Sequence, residues 1–216
     1  ASAGRSTVHT GGGVAIASGE GTSTSSGVVT IRSINSGTSG VSGALIFSSG
    51  TSVSGNSGAI ELGTGAATAG RGGMVLITAG SGTSGAGGSV QASAGRSTVH
   101  TGGGVAIASG EGTSTSSGVV TIRSANSGTS GVSGALVFSS GTSVSGNSGA
   151  LMLGTGVATA GRGGMISLTV GSGTSGVGGS VLADAGRSTV HTGGGVHLAS
   201  GEGTSTSSGA ITIRSI

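Results

Sequence analysis

Residues 1–33 read ASAGRSTVHTGGGVAIASGEGTSTSSGVVTIRS, and this stretch returns verbatim at 92–124. It returns once more at 183–215 with five substitutions. Self-similarity at a fixed period is typical of repeat proteins, in which each unit contacts only its neighbours. We therefore expect one continuous array over the whole chain and no separate domains. The sequence repeats are 1–91, 92–182 and a partial copy at 183–216.

A shorter period lies inside each copy. Pairs of apolar residues spaced i, i+2 recur every 15 residues, with one 16-residue step in each full copy. Such a pair places both side chains on one face of a β-strand. A strand every 15 residues is too frequent for β-α-β units. The period predicts an all-β fold, a flattened, two-faced parallel β-solenoid (β-helix) of about 15-residue coils without helices. Its predicted core ladder begins with Val14, Ile16, Val29, Ile31, Leu45, Phe47, Ile60, Leu62, Val75 and Ile77.

Glycine and threonine recur in step with these pairs. The 216 residues include 53 Gly and no Pro, a composition that disfavours helices. Glycines such as Gly12 and Gly19 flank each pair, and we expect them at the coil corners because Gly adopts positive φ without steric cost. Asn35 takes a corner position in the 16-residue coil. A column of β-branched residues, including Thr7 and Thr22, is predicted to point inward from the second face.

Charged and outward apolar residues follow the same register. Arg5 and Glu20 occupy the same position in successive coils, so stacked coils would bring them about 4.8 Å apart. The predicted inter-coil pairs are Arg5 with Glu20, Arg96 with Glu111, and Arg187 with Glu202. Outward positions beside the strand pairs are partly apolar and predict a lateral interface between rods. Its residues are Ile46, Met74, Leu76, Val137, Met152 and Leu182.

The sequence contains no pattern typical of a catalytic or cofactor-binding site. There is no Cys, which excludes disulfides and thiolate metal sites. The GxGxxG of residues 80–85 precedes a predicted strand, whereas a dinucleotide site needs a helix there. His9, His100 and His191 lie 91 residues apart and are not expected to share a metal. We expect no enzyme activity, no catalytic or metal site, and no cofactor.

The charge and the hydropathy pattern also exclude two kinds of partner. Eight arginines give a net charge of only +3, and the aromatic residues are limited to two Phe. This pattern is not that of a nucleic-acid interface. No apolar run approaches the roughly 18 residues of a membrane span. We therefore expect neither nucleic-acid binding nor a membrane span.

The unit S-G-x-x-x-x-S-G-x-[VIL]-x-[VIL], seen around Ser57-Gly58-Ala59-Ile60-Glu61-Leu62, runs through the chain. In this unit the chain resembles the long Gly/Ser/Thr-rich repeat proteins of secreted or cell-surface type, such as those of microalgae. The resemblance implies a parallel β-solenoid with an extracellular structural or adhesive role. It carries over no functional residues.

The leading functional hypothesis is mechanical. The chain is predicted to be a rod-forming segment of an extracellular fibre, sheath or surface appendage, located outside the cell or on its surface. The pattern runs to both ends without a polar cap, so we expect self-association end to end, laterally, or both. One alternative is an ice-binding or glycan-binding, adhesive solenoid with glycans as partners. Another is a β-helix hydrolase, which would need two neighbouring carboxylates in a groove.

Overall fold

The structure is a computed structural model that describes residues 2–215, and these residues form no α-helix and no β-strand. The chain divides into two units, Ala1–Ile107 and Ala108–Ile216. Within each unit the backbone is irregular coil interrupted by short bends. There are consequently no strand or helix bounds to give for the described range, and the bends are its recurring structural element.

The bends repeat with the same period as the sequence. Fourteen of them lie in the described residues, separated by steps of 15 with one step of 16 in each full copy. They occupy 7–9, 22–24, 38–40, 53–55, 68–70, 83–85 and 98–100 in the first unit, and 113–115, 129–131, 144–146, 159–161, 174–176, 189–191 and 204–206 in the second. The repeated sequence therefore places bends at a repeated spacing, without regular secondary structure.

Most bends lie inside a loop whose two ends meet. In the loop around 22–24, the Gly27 amide donates a hydrogen bond of 3.0 Å to the Gly19 carbonyl oxygen. The same Gly-to-Gly bond, over eight residues, closes seven other loops in the described part of the chain, at 2.8 to 3.3 Å. A threonine closes another, since Thr64 Oγ1 donates to the Gly73 carbonyl at 3.3 Å. These closed loops are small Ω-loops, compact segments with adjoining ends.

The predicted all-β solenoid is wrong. No strand is present in residues 2–215, and no residue in that range is buried. The exposed fraction of the ten predicted ladder side chains runs from 47% at Val29 to 76% at Leu62. The predicted core is therefore absent from the described chain. The exposed residues are Val14, Ile16, Val29, Ile31, Leu45, Phe47, Ile60, Leu62, Val75 and Ile77.

The accessible surface makes the same point for the whole chain. It amounts to 20913 Å² for 19.4 kDa. A compact folded monomer of this mass would expose about 8,500 Å², and a fully unfolded one about 28,000 Å². The value lies about two-thirds of the way from the compact to the unfolded figure. Hydrophobic burial, the dominant favourable term in folding, is largely unused within a single copy.

The composition explains why the coils do not stack. Each 15-residue unit holds about four glycines, and fixing the backbone of one residue costs about 1–2 kcal/mol, with Gly at the upper end. The apolar pair of that unit would contribute about 1.5–3 kcal/mol per side chain if fully buried. The glycine cost therefore offsets much of the gain, before the ordering of the Ser and Thr residues is counted.

The corner glycines were also predicted wrongly. Among residues 2–215, only Gly40 has a positive φ, at 130°, and no non-glycine residue has one. Gly12, Gly19 and Asn35 therefore do not turn the chain through the left-handed region. The predicted inward threonine column is overturned as well, because residues such as Thr7 begin the bends and are exposed.

Candidate functional site

No enclosed site is found in the described residues. One depression is lined by Arg32, Ser33, Ile34 and Asn35, where the 16-residue step inserts its extra residue. Its volume is about 120 Å³, below the roughly 300–1,000 Å³ of small-molecule sites. It holds one charged side chain and no second titratable group. This depression lacks the convergent polar groups that a ligand or a reaction would require.

Metal binding finds no support in the described range. No group of three His, Asp or Glu residues there could hold a metal ion. His9, His100 and His191 end equivalent bends. No helix among residues 2–215 is long and apolar enough to cross a membrane.

The structure places the charged residues predicted to pair on the surface. The six residues are Arg5, Glu20, Arg96, Glu111, Arg187 and Glu202, and all are exposed. The pairing was predicted from stacked coils, which the described chain lacks. The three Arg–Glu pairs therefore stay predictions and no longer have a structural basis in coil stacking.

Serine hydroxyls shape several of the bends, and three of these bends share one arrangement. Ser6 Oγ accepts hydrogen bonds from the amides of Val8, at 3.4 Å, and His9, at 2.9 Å. Ser97 and Ser188 make the same two contacts at the same distances. A hydroxyl that accepts from amides two and three residues on is an ST-turn. The role of these serines was not predicted from the sequence, although Ser preceding a bend is a known signal for such a turn.

Some loops require glycine at one position because another part of the loop backbone lies close to its Cα. A Cβ built on Gly21 would lie 2.5 Å from the Ser25 carbonyl oxygen and 2.7 Å from that of Thr24. Gly82 stands in the same relation to Gly85 and Ala86, with its Cβ 2.5 and 2.7 Å from their carbonyl oxygens. These glycines therefore permit tight loops, a role different from the positive-φ corners predicted from the sequence.

The apolar side chains form the remaining candidate surface. The predicted lateral residues are all exposed, namely Ile46, Met74, Leu76, Val137, Met152 and Leu182. Their role as an interface stays a prediction. Met74–Ala79 and Met165–Val170 are uncharged six-residue stretches without Gly that hold three β-branched residues each, and we call them the two apolar hexapeptides. Exposed apolar stretches of this kind mark surfaces where a soluble protein associates with something else.

Comparison with protein families, with curated proteins and with solved structures finds no match to this chain. The resemblance to secreted repeat proteins therefore rests on the repeated unit alone. Any function has to be argued from the repeat, the exposed apolar residues and the loops.

Proposed function

We propose that the chain is a structural segment of an extracellular fibre, sheath or surface appendage, without catalytic activity. The observation that carries the proposal is the verbatim return of residues 1–33 at 92–124. An active site needs one arrangement of specific groups, and copying does not improve it. A material gains length and contact points with each added copy.

The exposure of the side chains supports the same role. No residue in the described range is buried, so the apolar residues there are available to neighbours. The proposed segment is a flexible, repetitive one. A stiff rod is not proposed, because the rod was inferred from a solenoid that the described residues do not form.

Location can be tested with an antibody raised against residues 1–33. This sequence occurs twice verbatim and a third time with five substitutions. Immunogold electron microscopy of the producing cells should label extracellular fibres, sheath or surface material. Preincubation of the antibody with the same peptide is the control and should abolish the labelling. Gold particles confined to the cell interior would refute the extracellular structural role.

The alternative of an ice-binding or glycan-binding, adhesive protein stays open as a prediction. It required a flat outward array on a regular strand, and residues 2–215 contain no strand. No observation here favours it over the structural role. Thermal hysteresis or retention on a glycan array by the purified chain would support it.

A further inference from the structure

The two apolar hexapeptides differ from the rest of the chain in composition. Met74–Ala79 reads MVLITA and Met165–Val170 reads MISLTV. Neither contains a charge, a Pro or a Gly, although about a quarter of the chain is Gly. Segments of six or seven residues with high β-propensity, low charge and few Gly are those that pair between chains. The hexapeptides have the composition of such segments.

The hexapeptides are also free to meet a partner. The large apolar residues of the first are exposed by 48% at Val75 to 79% at Met74, while Ala79 is half-buried, and the large apolar residues of the second are exposed as well. The backbone-to-backbone hydrogen bonds of the described residues all join glycines. The amides and carbonyls of the hexapeptides take no part in them. Both the side chains and the main chain of these segments are therefore available.

The other apolar stretches carry a charge or hold fewer β-branched residues. Val28–Arg32 ends in a charged residue, and the pair Ile60 and Leu62 encloses Glu61. Ala44–Ser49 is also six residues long without charge, Pro or Gly, but it holds one β-branched residue where each hexapeptide holds three. A charge inside or next to a stretch of this kind opposes stacking of copies, because like charges would be brought together. This comparison singles out the two hexapeptides.

We infer that the apolar hexapeptides are self-association sites whose partner is the same segment of another copy of this chain. In-register pairing places each apolar side chain against its own equivalent and brings no charge within the hexapeptide close to another. The chain carries two such segments 91 residues apart, so each copy can join two neighbours and association can propagate. This pairing is between chains and does not restore the stacked coils that the described residues lack.

The inference rests on the structural role proposed above, and a charge substitution in the full chain separates the two. Ile77→Lys and Leu168→Lys, made together, place a charge at equivalent positions of the two hexapeptides. The matched control is Val53→Lys with Val144→Lys. It adds the same charge at two fully exposed valines that lie in bends between Ser residues.

Assembly is followed by sedimentation and light scattering of the purified chains at micromolar concentration. We expect the unsubstituted chain and the control to assemble at similar rates. The hexapeptide variant should assemble more slowly by about tenfold or more, because a charge would have to be buried between chains. Equal assembly of the hexapeptide variant and the control would overturn the assignment of these segments and leave the structural role standing.

Failure of the unsubstituted chain to assemble would also overturn the inference. The structural role would still be decided by the immunogold labelling, which does not depend on assembly in vitro. An X-ray fibre pattern of the assembled material adds a second readout. Main-chain pairing between copies should give a spacing of about 4.7–4.8 Å, and its absence would contradict pairing through the backbone.

Discussion

The closed loop around residues 22–24 permits a quantitative test of local structure. A Cβ on Gly21 would lie 2.5 Å from the Ser25 carbonyl oxygen, whereas ordinary van der Waals contact begins near 3.4 Å. Gly21→Ala therefore forces a movement of about 0.9 Å within the loop. Carried to the loop ends, it would lengthen the 3.0 Å bond from Gly27 to Gly19 to about 3.9 Å, too long for a hydrogen bond.

The loss of that bond sets the size of the expected effect. A single net hydrogen bond stabilises by about 0.5–1.5 kcal/mol, so the closed fraction should fall and the Gly27 amide exchange with solvent should rise by about 2- to 12-fold. Amide exchange of the 15N-labelled full chain, measured by NMR, reports this rate. Gly13→Ala is the control, because a Cβ there meets no atom within 4 Å. Unchanged Gly27 exchange in Gly21→Ala, or an equal rise in the control, would refute the reasoning.

Three further predictions follow from the same structure. Ser97→Ala should speed exchange of the His100 amide by about 2- to 12-fold, through loss of its 2.9 Å bond to Ser97 Oγ, whereas Ser97→Thr, which keeps a hydroxyl, should have little effect. Calorimetry of the dilute chain should show no cooperative heat-absorption peak, since no described residue is buried and unfolding would expose little new apolar surface. A sharp heat-absorption peak would contradict an irregular chain without buried residues. Trypsin should cleave after all eight arginines without a lag, because every one of them is exposed, and a protected arginine would show a folded region.

The sequence predicted the spacing of the local structure but not its kind, since bends lie at residues such as Thr7 and Thr22, where an inward strand position was predicted. The bends follow the 15- and 16-residue steps of the apolar pairs, because a bend depends on a few neighbouring residues that each repeat supplies. The predicted core required something more, namely contact between coils. Val14 and Val29 are correctly spaced for one face, but spacing alone does not decide whether burial exceeds the entropy of ordering the glycines between them. The periodicity of the sequence carries no information about that balance between burial and ordering entropy.

The balance between burial and ordering entropy also explains why a single chain stays exposed while copies are proposed to assemble. Residues such as Leu76 and Ile77 remain in water because one copy gains too little from covering them. Pairing between copies changes the balance, since an ordered segment can then be covered by a neighbour on either side and its main-chain groups find partners. The hexapeptides contain no Gly, so ordering them costs less than ordering the loops that flank them. Order is therefore expected first at Met74–Ala79 and Met165–Val170, and only where copies meet.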